Sequence, residues 1–322
     1  MFKKIDIFVT LGPSSLNKQF LTFINRKVSL VRLNMSHVNV NKLAEKIKYI
    51  KKFCTVPICI DTEGAQVRIK YNKKKFFIKK NSIINIFKKK FFLNLYPDNV
   101  FDQLKVNDIL DVGFEGLKFK VKKTYLHKIS LKCINAGYLE NNKGVHVSNR
   151  KIKLKFITDK DLKAIKISKE LKVNNFALSF TNTKKDIENF CKILPKENKF
   201  FKIETKESIK NLNLFFKTEN NFLIDRGDLS KEVGIENIPP VQRKIFKLSN
   251  KRKNTKIFIA TNFLESMILK PYPTRAEVND IYNGLEMGAK GLVLAGETAM
   301  GKYPMECVKL ILKIVNVFKK LN

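Results

Sequence analysis

The chain opens with an alternating, β-branched run, Ile5 to Thr10, that ends in the turn Leu11-Gly12-Pro13-Ser14-Ser15. A helix is predicted over Leu16 to Arg26, a second strand over Ser29 to Asn34, and a helix over Asn41 to Phe53. In that helix Leu43, Ile47 and Ile50 fall on one stripe at helical spacing. Val56 to Asp61 reads as the third strand. Strand and helix alternating in this way call for a parallel sheet with right-handed crossovers.

The rhythm then breaks. From about residue 70 to 155 the pattern gives short strands and turns: Phe76 to Lys79, Ser82 to Phe87, Leu117 to Val121 and Ile129 to Ile134. This stretch reads as an all-β insertion. Helical periodicity returns with Asp159 to Leu171. Strands follow at Asn175–Ser179, Phe200–Glu204, Phe222–Asp225, Ile257–Thr261 and Gly291–Ala295. Between and after them lie helices near Thr183–Leu194, Glu207–Phe216, Pro240–Arg252, Arg275–Met287 and Pro304–Leu321. The expected fold is an α/β (β/α)8 TIM barrel with an all-β cap domain inserted after its third strand. Residues 1–69 and 156–322 make the barrel, and 70–155 the cap.

In such a barrel the active site is built at the C-terminal strand ends. Polar residues cluster at those ends: Thr10, Arg32 with Asn34, Asp61, Ser179, Lys202 with Glu204, Asp225 to Asp228, Thr261, and Ala295 with Glu297. Glu204 and Asp228, closing neighbouring strands, can share a divalent cation beside the Lys202 ammonium. Phosphoryl transfer uses that combination, because the protein's work there is positioning and charge neutralisation. Taken singly each residue also has a bland reading: Arg32 a strand-end charge, His37 a structural histidine, Asn34 with Ser36 a cap on the following loop.

Hydrophobic residues at 44% describe a globular chain, and no run approaches the length of a membrane span. The start, MFKKIDIFVT, enters a strand directly instead of a signal-peptide core. The scattered cysteines Cys54, Cys59, Cys133, Cys191 and Cys307 contain no CxxC pair, which suits a reducing cytoplasm better than a disulfide framework or zinc site. The net charge of +35 invites a polyanion partner. Residues 70–155 hold 21 Lys or Arg against 6 Asp or Glu, with runs at Lys73-Lys74-Lys75 and Lys88-Lys89-Lys90. Yet Phe, Ile and Asn are enriched beside Lys, and all four share A/T-rich codons. The charge is therefore read as codon bias that helps to steer anionic substrates, not as a nucleic-acid surface.

The ordered motifs TLGPSS, RLNMSH, DTEGAQVR, KIET, RGDL, ATNFLESM, PTRAEVNDI and GETAMGKYP resemble the pyruvate kinase family over nearly the whole chain. The resemblance implies phosphoryl transfer from phosphoenolpyruvate to ADP, giving pyruvate and ATP in glycolysis. It implies Mg²⁺ (or Mn²⁺) on Glu204 and Asp228, Lys202 and Arg32 on the transferring phosphoryl group, and the backbone of Arg226, Gly227 and Asp228 on the substrate carboxylate. Thr261 would help deliver a proton to the enolate carbon. Asn34, Ser36, Asp61 and Thr62 match the family's K⁺ ligands, while Thr10, Asn34, His37, Arg68 and Lys143 (in NKGVHV) stand where it meets the nucleotide.

Several positions depart from the family pattern. DTKGPE reads DTEGAQ, placing Glu63, Ala65 and Gln66; VARGD reads IDRGD, placing Asp225; Asn182, Asn262 and Ala295 are further departures. Neutral Gln66 supplies no charge of its own, so K⁺ is expected to be needed, and Glu63 would favour that cation if it points inward. The sequence also reaches only the helix after strand eight, where typical members continue into a C-terminal regulatory domain. A catalytically impaired relative with a binding or regulatory role is the alternative reading, and a homodimer through the barrel helices stays open.

Overall fold

The computed structural model describes residues 4–71, 75–88 and 93–321. Eight parallel strands close into a barrel: Asp6–Thr10, Leu30–Asn34, Ile58–Asp61, Asn175–Leu178, Asn198–Ile203, Asn221–Asp225, Lys256–Ala260 and Gly291–Leu294. They are called here barrel strands one to eight. Strand one pairs with strand eight through Phe8 against Val293 and with strand two through Thr10 against Arg32, which completes the ring.

Period two sorts each strand between two cores. Phe8, Leu30, Cys59, Ala177, Phe200, Leu223, Phe258 and Val293 point inward and fill the barrel. Phe8 stacks on Phe258 at 5.0 Å between ring centres, and Phe200 meets both rings edge-on. The alternate positions, such as Ile7, Val9, Val31, Ile60, Phe201 and Ile224, face outward against the helices. Two residues beyond the inward layer, the same period brings Thr10, Arg32, Asp61, Ser179, Lys202 and Asp225 to the barrel mouth. A polar layer therefore rests on an apolar plug.

Helix starts follow closely on strand ends. Thr183 and Thr205 cap helices Lys184–Ile193 and Lys206–Lys210, their hydroxyls accepting the backbone N–H groups of Asp186 and Ser208. The segment expected to be one helix over Glu207 to Phe216 is two, Lys206–Lys210 and Leu212–Thr218, broken at Asn211. The last helix, Pro304–Leu321, has the expected limits.

The second compact unit covers residues 65–155, the first 1–64 with 156–322. The expected boundary after residue 69 therefore moves: strand Val67–Lys70 pairs with Gly144–Val147 and Asn94–Tyr96 in the cap's own sheet. That antiparallel sheet runs Ile83–Phe87, Lys128–Asn135, Leu117–Thr124, Ile109–Val112, Gly144–Val147, Val67–Lys70, Asn94–Tyr96. A two-stranded ribbon joins Phe76–Ile78 to Gly137–Leu139. Its core holds Ile69, Leu110, Phe119, Val121 and Leu131. Of the two lysine runs, Lys75 pairs with Glu140 and Lys88 with Asp102. Lys73, Lys74, Lys89 and Lys90 lie outside the described residues.

Candidate active site

Lys202, next to the end of barrel strand five, is the centre of the polar layer. Its Nζ lies 2.8 Å from Glu204 Oε1, 3.1 Å from Asp225 Oδ2 and 3.5 Å from Asp61 Oδ2, and it donates to Ser179 Oγ at 3.2 Å. The side chain is only 4% exposed. Burial alone would discharge the amine, but Asp61, Glu204 and Asp225 outweigh it and hold the pKa well above the ordinary value. The ammonium therefore stays charged throughout the neutral range.

Arg32 is set by two neighbours. Nε donates to Thr10 Oγ1 at 2.9 Å and Nη1 to Asp61 Oδ2 at 3.0 Å, leaving Nη2 without a hydrogen bond to any described residue. Asp61 Oδ1 accepts from Ser179 Oγ at 3.2 Å. Thr10 Oγ1 in turn donates to Leu294 O at 2.8 Å. Deeper in the barrel, Cys59 is inert, because burial and then Asp61 push its thiol far up.

Glu204 and Asp225 each stand at a strand-to-helix junction. Only Glu204 separates strand five from the Thr205 cap, while Asp225 is both the last residue of strand six and the N-cap of helix Arg226–Val233. One oxygen each of Glu204, Asp225 and Asp228 lie within 4.8 Å of one another. Glu204 Oε1 is fully buried, yet no described donor is aligned to hydrogen-bond it, since Lys202 approaches out of alignment. Burial and the two neighbouring carboxylates push Glu204 up to about 8 despite Lys202. For Asp225 burial acts upward too, but Lys202 and Arg32 prevail and its pKa is lowered. Hard oxygens with an unsatisfied buried acceptor fit a divalent cation such as Mg²⁺.

Thr261 closes the cluster after strand seven. It takes a left-handed backbone, φ 71°, which a β-branched residue adopts only under constraint. The constraints are identifiable. Arg226 donates to Thr261 O from Nε and Nη2 at 3.1 and 2.6 Å and pairs with Asp280 at 2.7 Å, while Gly227 N donates to Thr261 Oγ1 at 2.9 Å. Arg226 thus acts as a staple for this loop. Glu297 is also structural, because Phe263 N, Leu264 N and Ala295 N all donate to its buried carboxylate.

Other expected residues are engaged locally. Asn34 Oδ1 accepts from Ser36 N at 2.9 Å, Thr62 Oγ1 accepts from Ser179 N at 3.0 Å, and the backbone N–H of exposed His37 donates to Asn34 O. Arg68 and Lys143 belong to the cap. There Arg68 Nη1 donates to Asn142 O at 2.8 Å and Lys143 pairs with Glu140 at 3.1 Å. Glu63 does not add a bare charge beside Asp61 and Thr62, because Lys160 Nζ meets its Oε2 at 2.8 Å.

The sequence matches the profile described as pyruvate kinase, barrel domain, over residues 2–308. The chain belongs to the pyruvate kinase family. It is 34% identical over 334 residues to a pyruvate kinase of Methanocaldococcus jannaschii, covering 98% of this chain and 70% of that protein. Against pyruvate kinases of Thermotoga maritima and Chlamydia muridarum the identities are 32% and 28%, covering 99% of this chain in both cases and 72% and 70% of those proteins.

Of the site residues expected from the sequence, this member of the pyruvate kinase family brings Lys202 and Glu204 into direct contact. Two relationships were missed in the sequence. Asp225 was placed at a strand end and as a departure, but its contact with Lys202 was not read, although its period-two spacing from inward-facing Leu223 already aims it at the barrel mouth. The Glu63–Lys160 pair joins residues 97 positions apart and carries no local signal.

Proposed function

We propose that the protein is a phosphotransferase that moves the phosphoryl group of phosphoenolpyruvate to ADP, giving pyruvate and ATP. The observation that carries this reading is the buried Lys202 ammonium, held charged by Glu204, Asp225 and Asp61. Glu204 and Asp228 would hold Mg²⁺ or Mn²⁺, which when bound would supply neutralising charge for an anionic substrate. Lys202 stabilises the charge that spreads over the equatorial oxygens during transfer, and it does so from a fixed position that costs no reorganisation. Arg32, pinned through Nε and Nη1, offers Nη2 to the same phosphate. The helix start at Arg226, Gly227 and Asp228 favours the substrate carboxylate.

Thr261 holds the product end of the site, its hydroxyl directing a proton through water to the enolate carbon. K⁺ is assigned to Asn34, Ser36, Asp61 and Thr62. ADP phosphates are assigned, within the barrel, to Thr10, Asn34 and His37. These roles rest on the resemblance together with the residues' chemistry. The departures leave Arg32, Lys202, Glu204, Asp228 and Thr261 unchanged, which favours an active enzyme over a binding-only relative.

The test is direct: phosphoenolpyruvate and ADP are incubated with protein, Mg²⁺ and K⁺ and followed by phosphorus NMR. Growth of the ATP resonances with matching loss of phosphoenolpyruvate is expected. Tight phosphoenolpyruvate binding with no ATP would replace this reading by the binding one.

A further inference from the structure

Asp225 is a carboxylate for which phosphoryl transfer by Lys202, Glu204 and Asp228 has no evident need. It is nonetheless an integral part of the barrel mouth. The residue is 5% exposed, its Oδ2 lies 3.1 Å from Lys202 Nζ, and no helix-capping hydrogen bond occupies its side chain although it sits at the N-cap position. An oxygen of Asp225 falls within 4.8 Å of oxygens from both Glu204 and Asp228. A cation seated between the latter two would therefore meet a third charged oxygen donor. The Oε1 of Glu204 is fully buried and, although Lys202 Nζ lies 2.8 Å away, accepts no aligned hydrogen bond among the described residues, so its lone pairs are available to a cation.

The charge of Asp225 acts on both ligands. Compared with an uncharged residue at 225, it adds one negative charge within reach of the Glu204 and Asp228 oxygens. Cation affinity rises with the number of charged ligands, while the pull of the loaded site on an incoming anion falls by that same charge.

We propose that Asp225 is a third carboxylate ligand of the divalent cation, so that this protein binds the cation firmly before substrate arrives and holds the substrate anion more loosely in exchange. The proposal rests on the cation site described under the proposed function. It makes Asp225 a specificity-determining residue that sets the balance between metal and anion affinity.

Direct binding separates the possibilities without any turnover. Mn²⁺ binding to the substrate-free protein is measured by electron paramagnetic resonance for the wild type, Asp225→Asn, Asp225→Ala and Glu204→Gln, with melting curves confirming the fold. Phosphoenolpyruvate binding at saturating Mn²⁺ is then measured by calorimetry. Both Asp225 variants are expected to weaken Mn²⁺ about tenfold or more and to tighten phosphoenolpyruvate. Opposite movements of the two affinities are not produced by simple loosening of the site. Unchanged Mn²⁺ affinity in Asp225→Asn, with Glu204→Gln weakened, would overturn the role of Asp225 alone and leave it a positioning partner of Lys202. Unchanged affinity in all three variants would overturn the cation site as well, and parallel weakening of both ligands would overturn the exchange.

Discussion

Arg32 and Asp61 meet at 3.0 Å with side chains 4% and 0% exposed, and Lys202 stands 3.5 Å from the same Asp61 oxygen. One carboxylate oxygen thus links the two cations of the barrel mouth. Replacing Arg32 by Met would leave Asp61 with the more distant Lys202 in a cluster already rich in negative charge. Breaking a buried pair from one side costs about 3–5 kcal/mol. Urea unfolding of Arg32→Met without divalent cation should show a loss of that order. A loss near zero would mean that the pair is solvated in solution.

A pH effect is expected away from the mouth. Burial pushes the Glu277 carboxyl up, but donors from Ser266 Oγ and N and from Thr274 N more than offset this, so its pKa is lowered from 4.5. A carboxylate with a depressed folded pKa stabilises the fold fully above its unfolded pKa. That contribution disappears as pH falls through the lower, folded value. Glu277→Gln should therefore be less stable than wild type at pH 7, with the gap closing below pH about 4.5. A gap that stays constant down to acid pH would contradict the assignment.

Turnover should require K⁺. Glu63 contributes no bare charge because Lys160 neutralises it, so the requirement rests on the oxygens of Asn34, Ser36, Asp61 and Thr62 and on the missing charge at Gln66. In buffer free of sodium and potassium, with a tetraalkylammonium salt holding ionic strength, adding K⁺ should raise the rate. Replacing Gln66 by Lys should make the addition unnecessary. An unchanged rate on adding K⁺ to the wild type would refute the charge argument.

Much of this was legible in the sequence, for identifiable reasons. Asn221–Asp225 and Lys256–Ala260 carry apolar runs of three and four residues followed by a polar residue, Asp225 or Thr261, so both were found within a residue of their true limits. The cap was harder. Its strands Asn94–Tyr96, Gly137–Leu139 and Gly144–Val147 are three or four residues long, too short for alternation to rise above the surrounding lysines. No strand was read at Val67–Lys70, and the boundary was set after residue 69; the pairing of this strand with Gly144 and Val145 places it in the cap. Gly64 marks the change of unit. Its φ is +66°, and a Cβ there would lie 2.6 Å from Ser179 O, a close approach that only glycine allows. Side-chain partners across the fold, such as Lys160 for Glu63, left no trace in local pattern.

The central claim is that Lys202 acts on the transferring phosphoryl group. Its most direct test compares kcat for wild type, Lys202→Met and Lys202→Arg with phosphoenolpyruvate, ADP, Mg²⁺ and K⁺ at saturation. Melting curves and phosphoenolpyruvate affinity serve as controls for the fold and for substrate binding. Removing a preorganised charge of this kind lowers kcat by about 10²–10³, and Lys202→Arg should recover the fold more fully than the rate, because a planar guanidinium cannot reproduce the point charge between Glu204 and Asp225. A Lys202→Met variant that folds, binds phosphoenolpyruvate and turns over at the wild-type rate would contradict the account.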